Sequence, residues 1–144
     1  MRALLDVNVL IALLDDAHVH HGVARAWLAG QIQQGWASCP LTQLGCVRIM
    51  SNPGYANAQP AALVAQRLAK ATRTAHHEFW PADANPLGAE GGIDWTRVLS
   101  ARHVTDVYLL SLAVARDGRF VTLDAHVPLH CVPQAKTRHC VVIG

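Results

Sequence analysis

Apolar positions fall into short strand-length runs and longer stretches at helical spacing, and the two kinds alternate along the chain. Residues 3–5 are an apolar run closed by Asp6, as in a strand buried in a parallel sheet. Val7 and Asn8 read as a turn, and residues 9–14 as the start of a helix. A polar break at His18, His20 and His21 precedes a second helix, with Val23, Ala26, Trp27 and Gly30 roughly on one face. Gly35 leads into residues 36–39, a second strand. Residues 40–50 read as a third helix: Pro40 suits its first turn, and Leu44, Val47 and Met50 recur at helical spacing. Ser51-Asn-Pro-Gly54 is a loop signal. Residues 60–71 form a helix whose Ala, Leu and Val are set against Gln66, Arg67 and Lys70. Residues 77–80 suggest a strand, residues 81–92 a mobile loop rich in Pro, Gly, Ala and Asn, and residues 93–101 a weak helix.

The most complete unit lies between His103 and Asp124. Thr105 reads as a helix N-cap and Asp106 as a first-turn acid facing the positive end of the helix dipole. Val107, Leu110, Ala113 and Val114 give that helix an apolar face, and Gly118 is placed to end it in the left-handed conformation. Residues 120–123 form a strand closed by Asp124, and residues 140–143 a last strand. Strands alternating with helices predict an α/β domain, a parallel sheet flanked by helices and joined by right-handed crossovers. No repeat or composition break divides the chain, so residues 1–144 are expected to form a single domain.

In such sheets ligands bind beyond the carboxyl ends of the strands. Asp6 and Asp124 stand at two predicted strand ends, and Asp106 at a helix start on the same edge. Taken singly, each acid has an ordinary role as cap, dipole partner or turn residue. Together they define a site. Two bare carboxylates about 4 Å apart repel by about 4 kcal/mol at an effective dielectric near 20, so such a cluster must bind protons or cations. Hard oxygen donors suit Mg²⁺ or Mn²⁺ rather than Zn²⁺. An ion there can activate water and neutralise a phosphodiester.

Composition narrows the class. The chain has 144 residues, 51% hydrophobic and 15% charged, with a formal charge of +2, which excludes a disordered chain and does not by itself announce a nucleic-acid binder. No apolar run approaches the roughly 18 residues of a membrane span. The apolar N-terminus resembles a signal peptide, but Asp6 interrupts it and Asp15 and Asp16 follow it, so it reads as structure and the protein as cytoplasmic. Cys39, Cys46, Cys131 and Cys140 form no C-x-x-C pair and are expected to be reduced thiols.

Six segments, in order, carry a resemblance. They are Leu4-Leu-Asp-Val-Asn8, Cys39-Pro-Leu-Thr-Gln43 through Arg48, Ser51-Asn-Pro53, Phe79-Trp-Pro81, Thr105-Asp-Val-Tyr-Leu-Leu-Ser-Leu-Ala113 and Thr122-Leu-Asp124. Together they resemble the PIN-domain family and, within it, the VapC-type toxins of bacterial toxin–antitoxin pairs. The resemblance implies a three-layer α/β/α sandwich with a central, mainly parallel sheet. It implies an Mg²⁺- or Mn²⁺-dependent endoribonuclease that hydrolyses RNA with a metal-activated water. It also implies a VapB-like antitoxin partner and a homodimer, with no membrane association.

Carried over residue by residue, Asp6, Asp106 and Asp124 fall on the family's acidic, metal-holding positions. Asn8 falls on the polar position two residues after the first acid. Thr42 and Arg48 flank the family's Thr-x-Glu-like segment, and Thr105 precedes the second acid. At the catalytic position after Thr42 the chain departs from the pattern, because the expected acid is Gln43. A Gln carbonyl can still ligate a cation or orient water, but it carries no charge and accepts no proton from water near neutral pH. Three readings follow: a working nuclease with weaker metal binding, an attenuated or inactive PIN-like protein that binds RNA or antitoxin, or a Gln introduced to disarm a toxic chain. Asp83, Glu90 and Asp94 are the candidates for a substitute acid from the loop, and that reading is disfavoured.

Some residues have competing readings. Arg67, Lys70 and Arg73 recur on one predicted helix and could touch RNA phosphates, against a plain solvated face. Arg48 could bind a scissile phosphate or pair with an acid. His126, His130, Cys131, His139 and Cys140 invite a zinc site but lack the spacing of structural ones, which favours ordinary loop and strand roles. Tyr108 and Trp27 read as core or interface residues.

Overall fold

Five short strands lie side by side in the order β3-β2-β1-β4-β5, and every neighbouring pair is parallel. The computed structural model describes residues 1–144. The strands are β1 (Ala3–Leu5), β2 (Trp36–Ser38), β3 (His77–Phe79), β4 (Arg119–Thr122) and β5 (Cys140–Val142). The helices are α1 (Val7–Leu14), α2 (His21–Gln31), α3 (Pro40–Met50), α4 (Ala61–Thr72) and α5 (Val104–Ala115). No helix is long and apolar enough to cross a membrane.

Side chains on a strand alternate between the two faces of its sheet, and β1 shows this directly. Ala3 and Leu5 pack with Val9, Leu10, Met50, Val64 and Leu68, in a layer supplied by α1 to α4. Leu4 packs with Phe120, Val107, Leu109, Leu110 and Trp80, in a layer built on α5. Three layers result, as the resemblance implies, and β1 is fully buried at their centre.

Several local expectations are corrected. Asp6 caps α1, its Oδ1 accepting from the Val7 N–H at 2.7 Å, so Val7 and Asn8 belong to the helix rather than to a turn. Helix α5 begins at Val104, and Thr105 sits inside the first turn instead of capping it. The 3₁₀ turn Ala101–His103 feeds directly into α5, which removes the extended cap that the sequence suggested. Asp106 does lie in the first turn.

At the other end of α5 the left-handed residue is Asp117, with φ of 52°, not Gly118. The Gly118 N–H reaches the Ala113 carbonyl at 2.8 Å and the Asp117 N–H reaches Val114 at 3.1 Å, which is the paired bonding of a Schellman ending. Gly118 is needed for space: a Cβ there would lie 2.6 Å from Cη2 of Trp80 and 2.8 Å from the Arg2 carbonyl. Residues 93–101 form no continuous helix. Asp94 accepts from the Thr96 N–H and Ser100 from the Arg102 N–H, and these local bonds favour separate 3₁₀ turns, Trp95–Arg97 and Ala101–His103. All four cysteines are free.

Candidate active site

The sheet order reverses direction at β1 and β4, and the chain leaves both strands at the same edge. Asp6 follows β1 directly, and Asp124 follows β4 by two residues. The buried hydroxyl of Thr122, the last residue of β4, ties this edge together. It donates to Asp6 Oδ2 at 2.7 Å and accepts from the Asp124 N–H at 3.0 Å and from Asn8 Nδ2 at 3.2 Å. One donor and two acceptor positions exhaust a hydroxyl. Asn8 closes the ring, its Oδ1 accepting from the Leu123 N–H at 3.2 Å, and Asp124 Oδ1 accepts from the His126 N–H at 2.9 Å.

Asp106 brings a third carboxylate from the start of α5. It is half-buried, and no protein group hydrogen-bonds to it. Burial, then the charges of Asp6 and Asp124, push its pKa up to about 6. Burial also raises Asp6, against the opposing bonds from Thr122 and Val7, and Asp124 adds to the rise. The Cys140 thiol, at the start of β5, is raised by burial and then by Asp106 and Asp6, so it borders the same cluster. The three aspartates thus share one electrostatic neighbourhood. No three His, Cys, Asp or Glu side chains are drawn close enough to enclose an ion. The donor set still fits a hard divalent cation: the oxygens are carboxylate, and one acid is left without a partner where like charges surround it.

Gln43 lies apart from this hydrogen-bond ring. Its Nε2 donates to Ser38 Oγ at 2.9 Å, and Ser38 Oγ lies 2.8 Å from His77 Nε2. The other sequence candidates divide by location. Thr42 is fully buried and bonds Cys39, accepting from its N–H at 3.0 Å and donating to its carbonyl at 3.1 Å, so it fastens the first turn of α3. Arg48 is exposed and makes no side-chain hydrogen bond or ion pair; five residues of helix turn it about 140° from Gln43. Thr105 is exposed and lines an open groove of about 540 Å³ whose walls include Leu41, Pro86, Trp95, Val104 and Tyr108. Arg67, Lys70 and Arg73 are all exposed along α4, and Arg67 hydrogen-bonds the carbonyl of Leu14.

Asp83 pairs with Arg116 at 3.5 Å and Asp94 with Arg97 at 3.2 Å, so both are engaged elsewhere. Glu90 lies in the first turn of the 3₁₀ segment Ala89–Gly91. His139 is buried and accepts from the Lys136 N–H at 2.9 Å, while the buried Cys131 thiol meets the Arg97 carbonyl at 3.2 Å. Tyr108 is buried with its hydroxyl on the Ala84 carbonyl, and the half-buried Trp27 stacks under Arg119.

Two residues carry structure that the sequence reading did not assign. Thr122 was visible only as part of Thr122-Leu-Asp124. Asp15 is buried at the end of α1 and accepts from Tyr55 Oη at 2.5 Å, Asn57 Nδ2 at 3.0 Å and the Ala17 N–H at 3.0 Å. The Tyr55 bond holds its pKa down.

The PIN domain model matches residues 3–129. Ribonuclease VapC44 of Mycobacterium tuberculosis is 52% identical over 143 residues, spanning 99% of this chain and 100% of that one. Ribonuclease VapC39 of the same organism is 46% identical over 127 residues, spanning 87% and 90%. Among solved structures, VapBC2 from Rickettsia felis, bound to a DNA fragment from its promoter, matches with a TM-score of 0.69 at 12% identity, covering 100% of both chains. Mycobacterium tuberculosis VapC20, described as a Sarcin-Ricin loop cleaving toxin, matches with a TM-score of 0.58 at 10% identity, covering 81% and 85%. At these identities the structural likeness speaks to the fold. With a family match over most of its length and a full-length relative more than half identical, this chain belongs to the PIN-domain family, in its VapC-type branch.

Proposed function

We propose that the chain is a divalent-metal-dependent endoribonuclease, the toxin of a toxin–antitoxin pair, acting at the Asp6, Asp106 and Asp124 edge. Its relatives VapC44 and VapC39 bear the name ribonuclease. The observation that carries the reading is Asp106, a half-buried acid with no protein partner, whose pKa is raised to about 6 by burial first and then by the neighbouring carboxylates of Asp6 and Asp124. A structural acid would be paired. An acid held unpaired among like charges is poised for a cation.

Asp6, Asp106 and Asp124 would hold Mg²⁺ or Mn²⁺. Bound there, the ion supplies charge neutralisation on the phosphodiester and a lowered pKa for water. The protein's own groups do the rest. Thr122 and Asn8 fix Asp6 and the backbone at Leu123 and Asp124, which limits the reordering that two of the three carboxylates undergo when cation and RNA arrive. Water oxygen joins phosphorus, the bond to the leaving ribose oxygen breaks, and a proton passes from water to that oxygen. Gln43 leaves the site with three acids rather than four, which weakens its hold on the cation. Thr105 stands at the mouth of the groove beside Asp106, and Arg48, Arg67, Lys70 and Arg73 are exposed cations available to RNA phosphates. A VapB-like antitoxin and a second copy of the chain are the expected partners, in the cytoplasm.

The test is cleavage of RNA by purified protein with Mn²⁺. Asp106→Asn should abolish cleavage. Equal cutting by the variant would show that the activity belongs to another site or a contaminant.

A further inference from the structure

The open groove of about 540 Å³ lies on the carboxyl edge of the sheet, beside the acids. Its walls come from segments that start at that edge. Leu41 is in the first turn of α3, directly after β2, Pro86 and Leu87 are in the loop after β3, and Thr105 and Tyr108 are near the start of α5. Trp95 completes the lining. Thr105 precedes Asp106, so about 3.8 Å of backbone separates the groove wall from the acid cluster. A helix turns about 100° per residue, which puts the groove and Asp106 on neighbouring faces of α5. An RNA strand with one phosphate at the acids therefore brings an adjoining nucleotide, not the reacting one, to the groove.

No charged side chain lines the walls. A phosphate finds no partner there, whereas a flat uncharged group finds apolar contact. Nine residues line the groove, against about 20–30 a side in a standard protein interface, which suits one planar group better than the face of a protein.

Trp95 is 37% exposed, while Trp36 and Trp80 are buried and Trp27 is half-buried. Its ring is held in place: Nε1 donates to the Pro86 carbonyl at 2.9 Å. The turn around it is anchored as well, the Asp94 N–H donating to the Cys131 carbonyl at 2.8 Å and Arg97 to the His130 carbonyl at 3.2 Å. The Tyr108 hydroxyl donates to the Ala84 carbonyl at 3.2 Å. Both aromatic residues thus spend their polar ends on backbone and offer the groove apolar ring surface. The Thr105 hydroxyl is exposed on the wall and takes no protein partner.

Unpaired bases stack on aromatic side chains whichever base they carry, and a hydroxyl bonds base donors and acceptors alike. We propose that the groove is a subsite for one unpaired nucleobase of an RNA strand, stacked on Trp95 with the Thr105 hydroxyl at its edge. That the bound strand is also the one cut at the acids rests on the function proposed above; that the groove takes a base does not.

The test follows the Trp95 indole N–H by nitrogen-15 NMR in Asp106→Asn protein with Mg²⁺, titrated with a short oligouridine and with the same sugar–phosphate strand lacking bases. Oligouridine should move the Trp95 signal and leave those of the buried Trp36 and Trp80 in place, and the strand without bases should not move it. Trp95→Ala should weaken oligouridine binding by about 5- to 150-fold, the range for one lost base stack, with the salt dependence unchanged because the phosphate contacts remain. Trp95→Phe keeps a ring but loses the bond to Pro86, and should bind close to the parent. A Trp95 signal unmoved by bound oligouridine, or moved equally by the strand without bases, overturns the proposal, as does a failure to bind oligouridine at all. A signal that shifts with protein concentration alone gives the groove to a second copy of the chain, and one that only a co-purified antitoxin moves gives it to that protein; either also overturns it. If Trp95→Ala fails to fold, the indole shifts decide. RNA cleavage by the unsubstituted chain separates the two claims: base binding without cleavage keeps this subsite and refutes the proposed activity, and cleavage with an unmoved Trp95 does the reverse.

Discussion

Replacing Asp106 by Asn should make the metal-free protein more stable while removing its activity. The native fold raises the Asp106 pKa from 3.8 to about 6, so the folded state holds a proton that the unfolded chain has already released. The stability contributed by that proton is fully present below pH 3.8 and is lost as pH rises through about 6. At 1.36 kcal/mol per pH unit the whole shift would correspond to about 3 kcal/mol. Asp106 is half-exposed, and solvent screening reduces this to about 1–2 kcal/mol. Asn keeps the shape and removes the charge. In EDTA the variant should therefore melt about 3–6 °C above the unsubstituted protein at pH 8, taking about 3 °C per kcal/mol for a chain of this size. The gap should shrink as pH falls and close near pH 4.

Thermal denaturation at four or five pH values measures this directly. Added Mn²⁺ supplies an internal control. It should raise the melting temperature of the unsubstituted protein by the binding linkage, and that of the Asn variant much less. A variant no more stable than its parent at pH 8, or a gap that ignores pH, would show that Asp106 is not held against its own charge. The reasoning from crowded carboxylates would then fail.

Cation and proton compete at the same carboxylate. Mn²⁺ affinity, measured by calorimetry, should therefore fall by up to about tenfold per pH unit below pH 6, and an affinity unchanged between pH 7.5 and 5 would exclude Asp106 as a ligand. Gly118→Ala forces a methyl against Trp80 and the Arg2 carbonyl, and should cost about 2 kcal/mol in urea unfolding; a neutral result would mean that this junction between α5 and β4 is loose. Tyr55→Phe removes the bond to Asp15 and should cost about 1.5–3 kcal/mol at pH 7, the range for a hydrogen bond to a charged group. That cost should shrink on acidification, because the lowered Asp15 pKa contributes stability present above the unfolded value and lost as pH falls through the folded one. An equal cost at pH 3 and pH 7 would assign it to packing.

The sequence made the edges of this fold legible where the deciding interactions are local. Helix α3 runs over Pro40–Met50 as its Pro start and Ser51-Asn-Pro-Gly54 stop require. Residues 3–5 read as a strand because an all-apolar triplet suits only a strand buried on both faces, and β1 lies at the centre of the sheet. Where two influences compete, a one-residue rule loses. Gly118 satisfies the rule for a left-handed ending, yet Trp80 leaves it no room for a Cβ, so the glycine serves packing and Asp117 takes the strained conformation. Thr122 looks like any strand threonine until β1 and β4 pair and its hydroxyl meets Asp6. Position 43 follows the same logic. From the sequence alone, Gln43 is an acid lost. Once β2 and β3 pair, Ser38 and His77 stand side by side, and the Gln43 amide donates to the Ser38 hydroxyl. A residue that departs from a family's pattern has to be weighed with the groups it bonds: Ser38 lies five residues away in the chain, and His77, which contacts Ser38 in turn, is brought there only by the pairing of β2 with β3.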